Sequence, residues 1–314
     1  MAARITEEIA GARARGAAQA RGMSVRTRRN IEGWLFIAPV MFGVLAFYLV
    51  PLMVSLATSF TNWDGLTQWA FVGLANYERL LTRDQYFHQV LRNTLYYVVG
   101  HIPLTLLVAL GLALLCNRKM RGVTLFRAAY FVPAITNVVA IGLVWSYIYA
   151  PRVGVINGLL ALVGIQGPAW LVERSWAMPA VILLSVWHGV GYPMTILLAG
   201  LQGIPEMYYE AAKIDGSGTW TRFRYITLPL LTPVLFFLTI TQFISSFQVF
   251  GTIFVLTHGG PANATNVYNY YLYQNAFSFS KMGYASAMAW LLFLIIAAIT
   301  LVQWRLQKRW VFYE

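Results

Sequence analysis

The chain has 314 residues, of which 59% are hydrophobic and 11% charged, and its formal net charge is +12. Soluble domains carry about 25% charged residues, so this deficit places the chain in lipid, where length is counted in spans of roughly 20 apolar residues. The basic residues lie between apolar segments and not on one continuous polar face, which excludes a nucleic-acid partner; the single Cys116 excludes a disulfide framework and a multi-thiolate metal site and reads as a small packed residue at a span end.

Residues 1–30 are rich in Ala, Gly and Arg and contain no apolar run. They read as a basic, mostly disordered arm on the cytoplasmic face. Six apolar segments follow, at 33–57, 93–116, 125–149, 177–200, 231–256 and 283–305. Each is long enough for a tilted transmembrane helix. The fold expected is therefore an all-α membrane protein with six transmembrane helices over 31–310 and a tail at 311–314. The first segment is too long for a signal peptide and lacks a small-residue cleavage site, so it is expected to remain as a span. Between the first two spans, 61–92 reads as a folded cap with a short helix at 75–81. Segment 155–165 is too short to cross and reads as a surface or re-entrant helix.

Basic residues set the orientation. The arm carries Arg4, Arg13, Arg15, Arg21, Arg26, Arg28 and Arg29, and Arg118, Lys119, Arg121 and Arg127 surround the loop after the second span. Lys213, Arg222 and Arg224 lie in loop 201–230, and Arg305, Lys308 and Arg309 in the tail. The other side holds only Arg79, Arg83, Arg92, Arg152, Arg174 and Lys281. The positive-inside rule puts both termini in the cytoplasm.

Loop 203–229 is the most informative segment. Pro205 suits the first position of a helix over 206–214, which Asp215-Gly216 would end with Gly216 as a left-handed cap. Thr219 can cap a second helix, Trp220–Ile226, which Pro229 would stop. Met207, Ala211 and Ile214 fall on one apolar stripe, and Ala211 with Ala212 leaves a small surface for close approach. Glu210 stands three residues from Lys213. It reads either as half of an internal ion pair on a solvated face or as the contact for a basic group on a partner.

These residues resemble the EAA loop of membrane subunits of ABC importers. Glu210-Ala211-Ala212, Gly216 and Ile226-Thr227-Leu228-Pro229 fit that pattern with its spacing. Leu256-Thr257-His258-Gly259-Gly260-Pro261, with Thr265, is similar to a segment of carbohydrate importer permeases. Asn93-Thr94 and Gly191-Tyr192-Pro193 look like that branch too. The resemblance implies a type I ABC importer permease fold in the inner (plasma) membrane of a bacterium or archaeon. It implies a second homologous permease, a cytoplasmic ABC ATPase dimer and an extracytoplasmic solute-binding protein as partners. ATP and Mg would sit on the ATPase, with no cofactor on this chain, which shows no Gly-x-x-x-x-Gly-Lys-Ser/Thr phosphate loop. Glu210, Ala211, Ala212, Asp215 and Gly216 would couple to the ATPase, and Gly259, Gly260 and Pro261 would meet the binding protein.

A path for cargo needs polar or aromatic groups at mid-membrane. Gln242, Ser245, Ser246 and Gln248 form the densest polar cluster in any span, with Gln242, Ser246 and Val249 at helical spacing. Asn137, Trp145, Trp187 and Tyr192 offer an amide and stacking surfaces. Matched to sugar permeases, Trp187, Val190, Gly191, Gln242, Ser246 and Val249 fall at substrate-lining positions. For each, packing stands beside binding as a reading. His188 reads as the one mid-span histidine, with no carboxylate inside a span to make a proton relay. That weighs against an ion-coupled carrier, and no His, Asp and Glu cluster supports a membrane enzyme. Within the importer class, glycerol-3-phosphate or a polyol is the alternative cargo to a sugar or oligosaccharide.

Overall fold

The computed structural model describes residues 6, 25–66, 69–118 and 121–312. Arg4, Arg13, Arg15, Arg21 and Lys119, with nearly all of the expected arm before residue 25, lie outside the described residues. Among those described, the regular elements are helical, with an isolated bridge between Thr61 and Phe71. Three helices are long and apolar enough to cross a membrane alone: Arg29–Ser59, Gln85–Cys116 and Met282–Arg309. Three bent pairs bring the crossings to as many as six: Val123–Ile135 with Val138–Ile148 at 103°, Arg174–Gly189 with Gly191–Gly203 at 48°, and Thr219–Leu230 with Thr232–Phe247 at 62°.

The chain divides into two compact units, up to Ala57 and from Thr58 onward. In the first, helix Val25–Val44 starts ahead of the expected span, so Val25–Asn30 is helical. Nothing in Arg26–Asn30 breaks a helix, and the apolar segment behind it propagates the turn. The helix then widens into a π turn, Leu45–Leu49, before Pro51. The same device recurs in the second unit, where π turn Phe223–Thr227 precedes Pro229. A proline ring lacks an N–H and collides with the carbonyl four residues back. That carbonyl belongs to Phe47 in one case and Tyr225 in the other, both inside the wide turn. Pro229 was expected to stop its helix; the π turn instead carries the chain through to Leu230, and Gly218, not Thr219, holds the cap position.

In the second unit, Gln85–Cys116 is the axis. One end buries Phe87, Val90, Val98 and Ile102 with Tyr268, Tyr284 and Met288. The other buries Ala109, Ala113 and Cys116 with Met194, Leu197 and Leu231. Lipid is as apolar as leucine, so close van der Waals fit must hold helices together, and small residues permit it. A Cβ on Gly100 would stand 2.8 Å from Ile182 Cδ1, on Gly142 2.7 Å from Val255 Cγ1, and on Gly200 2.9 Å from Val234 Cγ2.

The cap between the first two spans contains Ala75–Glu78 and a π turn, Arg79–Arg83, slightly longer than the helix expected. Asp84 then caps the axis helix, accepting from Phe87 N–H at 3.1 Å. Its other oxygen accepts from Tyr271 Oη at 2.8 Å and Tyr284 Oη at 2.5 Å, tying the cap to helices Tyr268–Tyr273 and Met282–Leu306. Val155–Leu162 is the short helix expected near 155–165.

Candidate functional site

Pro205 stands at the cap position, one residue before helix Glu206–Ile214. Glu206 opens that helix and Lys213 lies in its last turn, the polarity the helix dipole favours. Gly216 has φ +75°, and two bonds close the end: Gly216 N–H to Lys213 O at 3.0 Å and Ser217 N–H to Ala212 O at 2.9 Å. This is the Schellman arrangement expected of a glycine cap. Tyr209 faces inward, bonded to the Thr227 hydroxyl at 2.9 Å, and Ala212 is half-buried. Glu210, Ala211, Asp215 and Gly216 are exposed, as are Met207 at 67% and Ile214 at 88%. Glu210 makes no ion pair with Lys213, unlike Glu78 in the cap, which pairs with Arg83. The helix is preformed, and its stripe is left open.

The second feature is a level at which three spans break. Expected segment 125–149 is interrupted at Thr136-Asn137, where Asn137 caps the next half-helix by accepting from Val139 N–H at 2.8 Å. The fourth bends at Val190, opposite the carbonyl that Pro193 cannot bond. Expected segment 231–256 stops at Phe247, because Gln248 and Val249 N–H turn back to Ser245 and Ser246 carbonyls at 3.2 and 3.3 Å. Gly251–Leu256 then begins a separate helix.

Two contacts show that the breaks meet. His188 Nε2 lies 3.1 Å from Thr136 O. A Cβ on Gly251 would stand 2.8 Å from Val138 Cγ1. Gly191 crosses so near the Tyr130 carbonyl that a side chain there would strike it. Trp187, 39% exposed, packs against Trp145 with ring centroids 5.3 Å apart and planes tilted by 55°. Both rings, with Val132, Thr136 and Val144, line an apolar groove of about 790 Å³ on the bent third span.

The path residues named from sequence thus divide. Asn137, Trp187 and Gly191 gather at the breaks, and Tyr192 is exposed nearby in sequence. Val190 is buried in the core. Gln242 and Val249 are half-buried, while Ser246, 2% exposed, turns onto His101 Nδ1 at 3.0 Å. Tyr97 stacks on that imidazole at 5.1 Å. His188 is therefore not the one mid-span histidine. His101 went unnoticed although it interrupts an apolar run between Gly100 and Pro103.

The third feature is the Gly-Gly-Pro loop. Gly259 is buried with φ +81°, and the Gly260–Pro261 bond is cis. Thr265, fully buried, donates to Gly260 O at 2.6 Å and lies 2.7 Å from the Thr257 hydroxyl. Asn93 Nδ2 donates to Asn263 O and Asn266 O at 2.8 and 2.9 Å, and Thr94 Oγ1 accepts from Tyr268 N–H at 2.8 Å. Two motifs far apart in sequence are one clamp. Beside it, Asp84, Arg79, Lys281, Asn266 and Tyr271 border a polar cavity of about 550 Å³. Burial and the bond to Asp84 push the Tyr271 phenol up to about 12.

Apolar crossings broken at one level are the build of a membrane transport protein. Residues 102–311 match the family described as binding-protein-dependent transport system inner membrane component, and the chain belongs to that family, as a permease subunit of an ABC transporter. It is 40% identical to the probable ABC transporter permease YesP of Bacillus subtilis, over 95% of this chain and 96% of that one. It is 36% identical to the lactose transport system permease LacF of Rhizobium radiobacter, over 89% and 95%. The probable starch degradation products permease AmyD of Thermoanaerobacterium thermosulfurigenes is 32% identical, over 90% and 96%. In fold, the chain is similar to a chain of a bacterial ABC transporter that imports alginate, with TM-score 0.77 at 22% identity, covering 90% of this chain and 99% of that one.

Proposed function

We propose that this chain is one half of the translocation path of an ATP-driven importer for a sugar or oligosaccharide. The named cargoes of LacF and AmyD support the carbohydrate reading. A homologous second permease closes the groove beside Trp145 and Trp187, whose rings give a sugar's apolar face a stacking surface. A solute-binding protein delivers cargo on the Gly259–Pro261 side. A cytoplasmic ATPase dimer, which holds ATP and Mg, meets Glu210, Ala211, Ala212, Asp215 and Gly216 in loop 203–229. Both termini lie on the ATPase side.

The observation that carries this reading is the preformed, capped helix Glu206–Ile214 with an unpaired Glu210 and an open apolar stripe. A rigid helix transmits the partner's movement instead of absorbing it. Closure of the ATPase would shift this helix and rock the spans between two states, each favoured by a different ligand. Glu210→Lys should abolish uptake while the protein still inserts in the membrane. Normal uptake together with normal ATPase co-purification in that variant would sink the coupling role.

A further inference from the structure

We propose that a pocket behind the Glu206–Ile214 helix holds the phosphate headgroup of an anionic membrane lipid. Its volume is about 690 Å³, within the range of small-ligand sites. Arg118 and Arg222 line it from two different segments, the turn after the axis helix and the helix that follows Gly218. Leu114, Trp220 and Phe223 form its apolar wall, and Tyr209, bonded to Thr227, closes it toward the Glu-Ala-Ala helix.

Charge sets the class of occupant. No carboxylate lines the pocket among the described residues. Arg118 has no side-chain partner, and Arg222 has one long bond, from Nη2 to Thr219 Oγ1 at 3.4 Å. Two guanidiniums facing one space, neither neutralised, call for an anion with several acceptor oxygens. The polar cavity near Asp84 is different: it has its own carboxylate, already accepting from two phenols.

The wall and the depth set the source. A free phosphate needs no apolar surface, yet Leu114 and the Trp220 and Phe223 rings, 5.5 Å apart, supply one. Leu114 lies two residues before the end of a crossing helix at Cys116, so the pocket sits where hydrocarbon gives way to headgroups. Trp220 is 73% exposed there, as expected for an aromatic ring at the interface. Basic pockets on the cytoplasmic side meet the leaflet that carries anionic lipid.

The intact membrane protein would be purified in mild detergent, supplied with phosphatidylglycerol or phosphatidylcholine, and its retained lipid counted by native mass spectrometry. The wild type should prefer phosphatidylglycerol, and Arg118→Gln with Arg222→Gln should weaken retention roughly tenfold or more. Arg118→Lys with Arg222→Lys should keep most of it, which separates lost binding from lost folding. Arg121→Gln with Arg224→Gln removes the same charge outside the pocket and should change nothing. Equal loss in that control, unchanged retention in the first variant, or displacement by inorganic phosphate at constant ionic strength would each overturn the assignment.

Discussion

The Glu-Ala-Ala helix and the Gly-Gly-Pro loop both rest on a glycine with positive φ, and they use it in opposite ways. At Gly216, φ +75°, nothing lies within 4 Å of where a Cβ would go. At Gly259, φ +81°, a Cβ would stand 3.0 Å from Tyr270 Cε1 and 3.3 Å from Asn266 Cβ. The first glycine ends a helix in open solvent and leaves the neighbouring side chains free. The second lets the chain pass beneath a ring and is held by Thr265 and Asn93. A motif can therefore mark a surface kept free for a partner or a knot that holds the fold, and pattern alone does not separate the two.

Substitution can break that contrast. Gly259→Ala combines left-handed strain with overpacking and should cost about 2–3 kcal/mol, read as a lower unfolding midpoint and less folded protein in the membrane. Gly216→Ala meets only the strain and should cost about 1 kcal/mol, with normal yield; equal losses at the two positions would end the comparison. Thr265→Val strands the Gly260 carbonyl in a buried site and should cost about 1–3 kcal/mol by the same measurement. Ser246→Ala should cost a similar 1–3 kcal/mol by leaving His101 Nδ1 unpaired, whereas Gln242→Ala should leave stability unchanged and alter uptake alone. Tyr271→Phe removes one bond to the Asp84 carboxylate and should cost about 1.5 kcal/mol, the low end for a bond to a charged group.

Titration adds a sign to that last position. The folded phenol, raised to about 12, holds its proton where the unfolded phenol near 10 has lost it. Its contribution is complete below pH 10 and falls as pH rises toward 12. Wild-type stability should thus fall more steeply across that window than the stability of Tyr271→Phe, the difference being this one phenol's share.

The crossings and the Glu-Ala-Ala helix were legible because each is written locally: long apolar runs, a proline before a helix, a glycine after it. Gly216 behaves as its position demands. The breaks were harder to read. Thr136-Asn137 sits in an apolar run with no glycine beside it, and the cap preference of Asn137, with Pro133 four residues ahead, is the local sign of it. Gln248-Val249-Phe250 looks like a helix until Ser245 and Ser246 carbonyls take the N–H groups. The clamp from Asn93 to Asn263 joins positions 170 residues apart, and no local pattern records such a pairing. Ser246 was placed on a path-facing stripe because helical spacing fixes a face but not which neighbour covers it; His101 covers it.

The meeting of three breaks around Thr136–Val138 has a thermodynamic consequence for a copy of the chain surrounded by lipid. At the first of them the side-chain amide of the exposed Asn137, whose oxygen accepts from Val139 N–H, stands within an apolar segment, and hydrocarbon would offer its N–H groups no partner. Each such group left unsatisfied there costs several kcal/mol. A lone copy surrounded by acyl chains is therefore an unfavourable species, and the relief comes from water or from another protein surface. Newly inserted copies that fail to find that cover should be the ones that membrane proteases remove first.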